Sequence, residues 1–189
     1  FLCDDGGREE VRLLATHFGI NYLAREEHEG AKAGNLNHAL RHSSGELVVT
    51  FDADMIPMHD FLMACIPYFV PDLIRAKQIE EEEGIEARRA REGKVGFIQT
   101  PQSFYNLDLF QYNLFSESRI PNEQDYFYRD IQLAKNSTNS VIYGGSNTVL
   151  SREALDEIGG FVTNVITEDF ATGMLIQTKG YQCYATDEV

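Results

Sequence analysis

Two acidic clusters, separated by more than a hundred residues, contain the side chains best suited to chemistry. Asp52-Ala53-Asp54 follows the apolar run 47–51, and Thr167-Glu168-Asp169 precedes a helix-like segment. A strand that ends in two carboxylates presents them at the C-terminal edge of a sheet, where open α/β folds bind ligands. Hard oxygen ligands there suit Mg²⁺ or Mn²⁺ bridging phosphate oxygens. The pattern indicates an enzyme that holds a metal-bound diphosphate with one cluster and removes a proton with another, although Asp-x-Asp alone is equally typical of a solvated loop start.

A third acidic site follows the first apolar residues of the chain. Asp4-Asp5-Gly6-Gly7 comes directly after Phe1–Cys3, so a second strand ends in carboxylates, and the glycines let the backbone turn sharply. Lys32 stands just before Gly34 and a predicted helix start at Asn35, where an ammonium group and free helix N–H groups both favour a diphosphate. The alternatives are a solvated turn for the acidic pair and an ordinary surface position for Lys32.

Hydrophobic periodicity predicts the elements that would carry these motifs. Strand-like runs alternate with helical patterns, the strands at 1–3, 21–24, 47–51, 95–99 and 181–185 and the helices near 8–18, 35–42, 59–69 and 169–179. Such alternation predicts an α/β fold with a mostly parallel sheet flanked by helices. We expect one domain over residues 1–189.

Two polar stretches interrupt this alternation. Residues 72–94 include Glu80-Glu81-Glu82-Glu83 and Arg88-Arg89, which predicts a charged, solvent-exposed helical insertion between two strands, with a docking surface as the alternative. Residues 108–135 mix polar and aromatic side chains and predict helices on the acceptor or membrane-facing side.

Six short motifs follow one another along nearly the whole chain. They are Asp4-Asp5-Gly6, the run 32–40 (KAGNLNHAL), Asp52-Ala53-Asp54, the run 99–106 (QTPQSFYN), Gly159-Gly160-Phe161 and Thr167-Glu168-Asp169. In this order they resemble the family-2 glycosyltransferases, and within them the processive cellulose-synthase-like branch. The resemblance implies the glycosyltransferase A fold of nucleotide-diphospho-sugar transferases, incomplete here at both ends.

The resemblance implies a donor site for a UDP-sugar. In such enzymes the first Asp pair, here Asp4 and Asp5, reaches the uracil and ribose. Lys32 would meet the diphosphate, Asp54 would coordinate Mg²⁺ or Mn²⁺, and Asp52 would contact the nucleotide or order the surroundings of the metal. Metal and lysine together would stabilise the charge on the departing UDP, so no leaving-group acid is required.

The resemblance also implies an acceptor side. Asp169 would be the general base that deprotonates the attacking hydroxyl in an inverting transfer, with Glu168 beside it in acceptor binding. The structural alternative is that Thr167 caps the N-terminus of a helix, because carboxylates in the first helical turn are favoured whether or not they are catalytic. The floor near the donor sugar or acceptor is expected from three consecutive residues, Gln99, Thr100 and Pro101.

The stretch 141–150 corresponds to the family's acceptor motif, which usually has two aromatics, Cys, Gly and Thr. Here Ile142 replaces an aromatic, Gly144 the Cys and Ser146 the Thr. Paired glycines still permit a close backbone approach to a ligand, so Gly144, Gly145 and Ser146 are the expected acceptor-binding residues. The substitutions leave the identity of the acceptor open.

Composition limits the class of protein. The 189 residues, 43% of them hydrophobic, suffice for one α/β domain with a core. A net charge of −14 argues against nucleic acid or anionic membrane surfaces as direct partners. Cys3, Cys65 and Cys183 have no metal-ligand spacing, which fits a reducing cytosolic setting. The sequence contains neither a signal peptide nor an apolar run of about 20 residues.

Relative to the family, the chain lacks the first nucleotide-binding strand, the Gln-x-x-Arg-Trp motif and the flanking transmembrane helices. We therefore expect a catalytic-domain fragment of a membrane-embedded parent, on the cytoplasmic face of the plasma membrane, with accessory synthase subunits as candidate partners. The expected activity is inverting transfer from UDP-glucose to a growing β-linked glycan, with little turnover in isolation. The alternatives are a nonprocessive transferase that adds one sugar to a lipid or protein and a nucleotide-binding domain without turnover.

Overall fold

The computed structural model describes residues 1–116 and 119–188. In these ranges the strands are β1 Leu2–Cys3, β2 Tyr22–Leu23, β3 Leu47–Thr50, β4 Val95–Gln99, β5 Thr148–Ser151 and β6 Gln182–Ala185. The helices are α1 Glu9–His17, α2 Ala31–Arg41, α3 Phe61–Glu83, α4 Ile85–Ala90, α5 Leu109–Leu114, α6 Glu123–Tyr126, α7 Gln132–Ala134, α8 Arg152–Ile158 and α9 Glu168–Thr178. A π-helical turn, Phe127–Ile131, precedes α7, and a 3-10 turn, Lys135–Thr138, follows it.

Local sequence accounts for several helix ends. Ser151 caps α8 by accepting a hydrogen bond from the Ala154 N–H, and Gly159 ends the helix with a left-handed φ of 86°. The helix α2 starts at Ala31, four residues earlier than the sequence predicts, so Lys32 lies within its first turn. The early start follows a left-handed turn at Gly30 and Ala31, which periodicity alone does not reveal.

The strands form two sheets. β1 and β2 pair in parallel, and the second sheet has the order β3-β5-β4-β6. β5 runs antiparallel to both β3 and β4, whereas β4 and β6 are parallel. The three strands of this sheet that the sequence predicts, β3, β4 and β6, therefore run in one direction. Most strands of the sheet thus share one direction, as predicted, but β5, which the sequence did not predict, runs antiparallel between β3 and β4.

The two central strands of the four-stranded sheet, β4 and β5, are buried on both faces. Phe97 and Leu150 point into one apolar cluster with Tyr143 and Ile176, while their neighbours in the chain belong to a second cluster with Phe61, Cys65 and Phe69. Alternation along a strand sends successive side chains to opposite faces, so β4 and β5 contribute to both clusters. The result is an α/β arrangement in which helices cover the sheet on each side, as the sequence predicts.

Segment 72–94 is helical but not wholly exposed, which corrects the prediction. The helix α3 continues through Pro67 and Pro71 as far as Glu83, and α4 follows after Gly84. Asp72, Arg91 and Lys94 are buried. Arg91 pairs with Asp72 at 2.9 Å and with Glu153 of α8 at 2.9 Å, so the segment is tied to the body of the domain.

The sequence-based prediction of helices over 108–135 agrees with α5, α6 and the turns before and after α7. In the described ranges, none of the helices combines the length and the apolar character that crossing a bilayer requires.

Candidate active site

Four of the predicted residues meet at one edge of the four-stranded sheet: Lys32, Asp52, Gly145 and Asp169. Thr50, the last residue of β3, pairs with Thr148, the first residue of the antiparallel β5. This register brings the turn after β3, which carries Asp52, next to the loop before β5, which carries Gly145. The sequence separates the two segments by more than ninety residues, and the pairing of these strands brings them together.

Gly145 is the point at which the charged groups converge. A Cβ atom built on it would lie 3.0 Å from Asp169 Oδ2 and 3.4 Å from Lys32 Nζ. The ammonium group of Lys32 also forms an ion pair with Asp52 Oδ1. The acceptor-side base and the donor-side lysine predicted from sequence therefore flank the same glycine, whose φ of +77° further favours the absence of a side chain.

Ser146 joins the two loops at this edge. Its hydroxyl is fully buried and accepts a hydrogen bond from the Asp52 N–H at 2.9 Å. Because the Ser146 side chain is occupied in this way, its direct role is to hold the backbone at Asp52 beside Gly145.

Gln99 is the central hydrogen-bonding residue of the loop 144–148. Its Oε1 accepts from the Gly144 N–H and from the Thr148 hydroxyl, both at 2.8 Å, and its Nε2 donates to the Ser146 carbonyl at 3.0 Å. The next two residues, Thr100 and Pro101, are also buried. The structure thus places Gln99, Thr100 and Pro101 beneath the loop as its support, and not as an open floor.

Asp4 has a different environment from the one that the sequence predicts. Both oxygens of its buried carboxylate accept hydrogen bonds within the loop, from the Gly6 and Arg8 N–H groups, the Arg8 guanidinium and the Tyr22 hydroxyl. These contacts, led by the Arg8 guanidinium, hold the pKa of Asp4 well below its usual range. With its oxygens engaged, Asp4 shapes the loop after β1, and a nucleotide contact is better assigned to its neighbour.

Asp5 remains one-third exposed while it pairs with Arg25. The guanidinium donates to both carboxylate oxygens, at 2.6 and 2.7 Å. The hydrogen bonds from Arg25 lower the pKa of Asp5 and keep it ionised, and each oxygen retains a second acceptor position. Asp5 can therefore still accept hydrogen bonds from a ribose or a base.

The turn after β3 provides hard oxygen ligands. The Met55 N–H donates to the Asp52 carbonyl at 3.1 Å, which closes a tight turn that leaves Asp54 exposed. Within 1–116 and 119–188, no group of three or more His, Cys, Asp or Glu side chains could hold a metal ion. Two carboxylates on one turn fit a Mg²⁺ or Mn²⁺ ion that completes its coordination with substrate phosphates and water. The residues thus suit an ion shared with a diphosphate.

The start of α9 presents the predicted base. Thr167 occupies the N-cap position, but its side chain makes no capping hydrogen bond. Asp169 Oδ1 instead accepts from the Phe170 N–H at 2.7 Å, while Oδ2 is the oxygen nearest Gly145. Glu168 is half-buried one position earlier. A first-turn carboxylate held by one oxygen keeps the other oxygen in a fixed place.

Two buried tyrosines lie near enough to feel the charge of this carboxylate: Tyr128, which the sequence did not single out, and Tyr143, which belongs to the predicted acceptor stretch 141–150. The Tyr128 hydroxyl lies 2.9 Å from the position of a Cβ on Gly144, and Tyr128 belongs to the π-helical turn, a feature frequent at functional sites. Burial raises the pKa of Tyr128 to about 12, and the charge of Asp169 adds to the shift. Burial likewise raises the pKa of Tyr143, whose hydroxyl is 3.3 Å from that of Thr50. The π-helical turn leaves no clear signal in the sequence.

Comparison with known families identifies the class of protein. A family model described as glycosyl transferase family group 2 matches residues 80–189. The chain belongs to this glycosyltransferase family. It is 35% identical over 181 residues to the cellulose synthase catalytic subunit [UDP-forming] of Xanthomonas axonopodis pv. citri (strain 306) and, over the same length, to cellulose synthase 1 catalytic subunit [UDP-forming] of Komagataeibacter xylinus. Each alignment covers 96% of this chain and 22% of the relative.

A solved structure supports the same assignment for the glycosyltransferase fold. The mannosyltransferase PcManGT from Pyrobaculum calidifontis, in complex with GDP-Man and Mn²⁺, is similar with a TM-score of 0.59 and 25% identity. The similarity covers 98% of this chain and 43% of that protein. The predicted fold class, an α/β glycosyltransferase domain of the A type, is thereby confirmed.

Proposed function

We propose that this glycosyltransferase domain transfers glucose from UDP-glucose, with inversion, to the end of a growing β-linked glycan. The observation that carries the proposal is the convergence of Lys32, Asp52 and Asp169 around Gly145. The Lys32 ammonium group suits a diphosphate, and the Asp169 carboxylate suits a hydroxyl proton. Because Gly145 between them has no side chain, a sugar donor and an acceptor hydroxyl can meet there.

The donor is inferred from the relatives and from Asp5. The relatives that share 35% identity are named UDP-forming, and Asp5 keeps free acceptor positions for a ribose or a base. A guanosine donor is the second candidate, because the similar mannosyltransferase was solved with GDP-Man. The two nucleotides differ in the base alone at this end of the donor, so direct competition between them decides the question.

The reaction follows from the placement of the charges. Asp169 Oδ2 accepts the proton of the acceptor hydroxyl, whose oxygen attacks the anomeric carbon on the face opposite the leaving group. The bond between that carbon and the diphosphate oxygen breaks, and Lys32 faces the negative charge that develops on the UDP. Asp52 holds the ammonium group of Lys32 in the site before the diphosphate arrives.

Asp54 would hold the Mg²⁺ or Mn²⁺ ion, with Asp52 ordering the surroundings of the metal, and the ion when bound would add positive charge beside the departing diphosphate. A protonated leaving-group acid is unnecessary under these conditions. The neutral Tyr128 hydroxyl, close to Gly144, can donate a hydrogen bond to a sugar in this space.

The wider setting is also part of the proposal. The chain spans 22% of the length of its cellulose synthase relatives, so the glycan acceptor, processive transfer and accessory subunits are inferred from their names and from the motifs. We place the domain on the cytoplasmic face of the membrane of a membrane-embedded parent, where a nucleotide sugar is supplied.

Calorimetric titration of UDP into the protein tests the donor site. Wild type should bind UDP with Mn²⁺ and lose most of the affinity in EDTA, and Asp54→Ala should behave in Mn²⁺ as wild type does in EDTA. Asp156→Ala is the matched control, because Asp156 lines a cleft at the end of β5 opposite Gly145. Equal binding by wild type and Asp54→Ala would contradict the metal assignment, and tighter binding of GDP than UDP would favour the guanosine donor.

A further inference from the structure

Arg25 connects two parts of the candidate donor site that are distant in sequence. Its side chain is 9% exposed and donates in parallel to both carboxylate oxygens of Asp5. The same guanidinium donates to the Glu29 carbonyl at 2.8 Å and to the Ala31 carbonyl at 2.7 Å. One planar group therefore binds the loop after β1 and the turn that begins α2.

The turn held by Arg25 has a strained backbone. Gly30 and Ala31 both have left-handed conformations, with φ of 74° and 43°, and left-handed φ is unfavourable for an alanine. The next residue is Lys32, so the direction in which its side chain leaves the helix depends on this turn. The two hydrogen bonds from Arg25 to the turn carbonyls oppose relaxation of the backbone to an ordinary conformation.

The absence of a side chain at Gly34 leaves space for the Arg25 guanidinium. A Cβ on Gly34 would lie 2.5 Å from Arg25 Nη1 and 2.0 Å from the Glu29 carbonyl oxygen, too close for any side chain. The Gly34 N–H donates to the Gly30 carbonyl at 2.8 Å, which closes the first turn of α2. Gly34 belongs to the run 32–40, one of the motifs that resemble the family. Its lack of a side chain thus allows Arg25 to pack against the start of α2.

We propose that Arg25 is a positioning residue of the donor site, which fixes the nucleoside-contacting Asp5 and the diphosphate-contacting Lys32 at a set distance and orientation. This inference rests on the proposed function. Four of the five N–H donors of Arg25 bind protein groups, so we assign it an action through these two residues and not a direct contact with substrate. Its effect should be largest on ligands that engage both residues at once.

The ligands UDP and uridine separate a positioning role from a general loss of structure. UDP spans both contacts, while uridine reaches only the Asp5 side. In Arg25→Gln, the dissociation constant for UDP with Mn²⁺ should rise at least tenfold, and that for uridine, followed by ligand-observed NMR, should change less than threefold. Arg25→Lys keeps the charge beside Asp5 but cannot make all four hydrogen bonds, so its UDP affinity should be intermediate.

Arg91→Gln is the matched control for folding. Arg91 is also a buried arginine, with a 4% exposed side chain, but it pairs with Asp72 and Glu153 away from the donor site. It should lower the melting temperature and leave UDP affinity unchanged. Hydrogen exchange at the Gly34 amide of the ligand-free protein, which donates to the Gly30 carbonyl, should quicken in Arg25→Gln and not in Arg91→Gln.

The outcomes distinguish failure of the proposed donor site from failure of the role proposed for Arg25. Wild-type protein that fails to bind UDP with Mn²⁺ refutes the proposed donor and the inference with it. If wild type binds UDP and the folded Arg25→Gln variant binds it with a dissociation constant within threefold of the wild-type value, only the inference about Arg25 is refuted. Equal losses for UDP and uridine, or equal losses in the Arg25 and Arg91 variants, would show that Arg25 has only a general structural role.

Discussion

Replacing Gly145 by alanine tests whether the charged groups around it form one functional unit. The added methyl group would lie 3.0 Å from Asp169 Oδ2, 3.3 Å from Asp169 Cβ and 3.4 Å from Lys32 Nζ. The first of these distances is shorter than ordinary van der Waals contact, so the carboxylate must move by a few tenths of an ångström. A single methyl group therefore displaces the Asp169 carboxylate and comes into van der Waals contact with the Lys32 ammonium group.

The expected magnitudes differ for stability and for transfer. A left-handed φ of +77° costs an alanine about 1–2 kcal/mol, and the free energy of unfolding should fall by that amount. The transfer rate should fall further, by roughly 10- to 100-fold, because small displacements of a reacting group are expensive in the transition state. The loss should appear in kcat, since Asp169 is the residue that we propose as the base for the acceptor hydroxyl.

Gly180→Ala provides the matched control. Gly180 has a similar φ of +85°, but a Cβ built there meets nothing within 4 Å. Both variants should lose comparable stability in urea unfolding, and only Gly145→Ala should lose sugar transfer, measured with UDP-glucose in the protein that carries this domain. If Gly145→Ala unfolds like the control and keeps wild-type kcat, the convergence of Lys32 and Asp169 on this glycine has no catalytic meaning.

Three further predictions concern the framework around the site. Arg91→Met should lower the free energy of unfolding by about 2–3 kcal/mol, because the buried Asp72 loses its bidentate partner and keeps only the longer contact with Arg75 and the Val95 N–H; urea unfolding measures this, and a loss below 1 kcal/mol would contradict it. Burial raises the pKa of Asp72, but hydrogen bonds led by Arg91 outweigh it, so the folded pKa lies below the unfolded value of about 3.9. Stability should therefore be retained above that pH and lost as the pH falls below it, and Asp72→Asn should flatten this acid limb in unfolding curves recorded from pH 2 to 6. Gly160→Ala should cost about 2–4 kcal/mol, since its φ is +97° and the new Cβ would lie 2.4 Å from Asn37 Oδ1, which accepts from the next N–H; an unchanged melting temperature would show that Asn37 can move away freely.

The elements that could be predicted are those with a local signal. Apolar runs located β3 and β4 to within a residue, and amphipathic periodicity located α1 and α9. The strand β5 was missed because Gly144-Gly145-Ser146 before it reads as a loop and its four residues, all buried, show no alternation. The predicted helix 59–69 ends before Pro71, which is a helix breaker in isolation, whereas α3 continues through Pro67 and Pro71 because Phe61, Cys65 and Phe69 pack against the sheet.

Charge patterns were the least reliable guide to environment. The run of charges in 72–94 predicts exposure, yet Asp72 and Arg91 are buried because each finds its partner in another element. The acidic pair Asp4-Asp5 divides in the same way, since Asp4 is engaged within its loop and Asp5 is shared with Arg25. A carboxylate in a sequence does not show which cation will reach it.

The sequence by itself determined the family, the order of the motifs and the residue types available for the reaction. Tertiary structure alone decided which of these residues meet. Lys32, Asp52, Gly145 and Asp169 come together because β5 pairs antiparallel to β3 and because the left-handed turn before α2 directs Lys32 toward Asp52. The strand pairing depends on contacts between residues far apart in the chain, and such contacts leave no trace in local composition or periodicity.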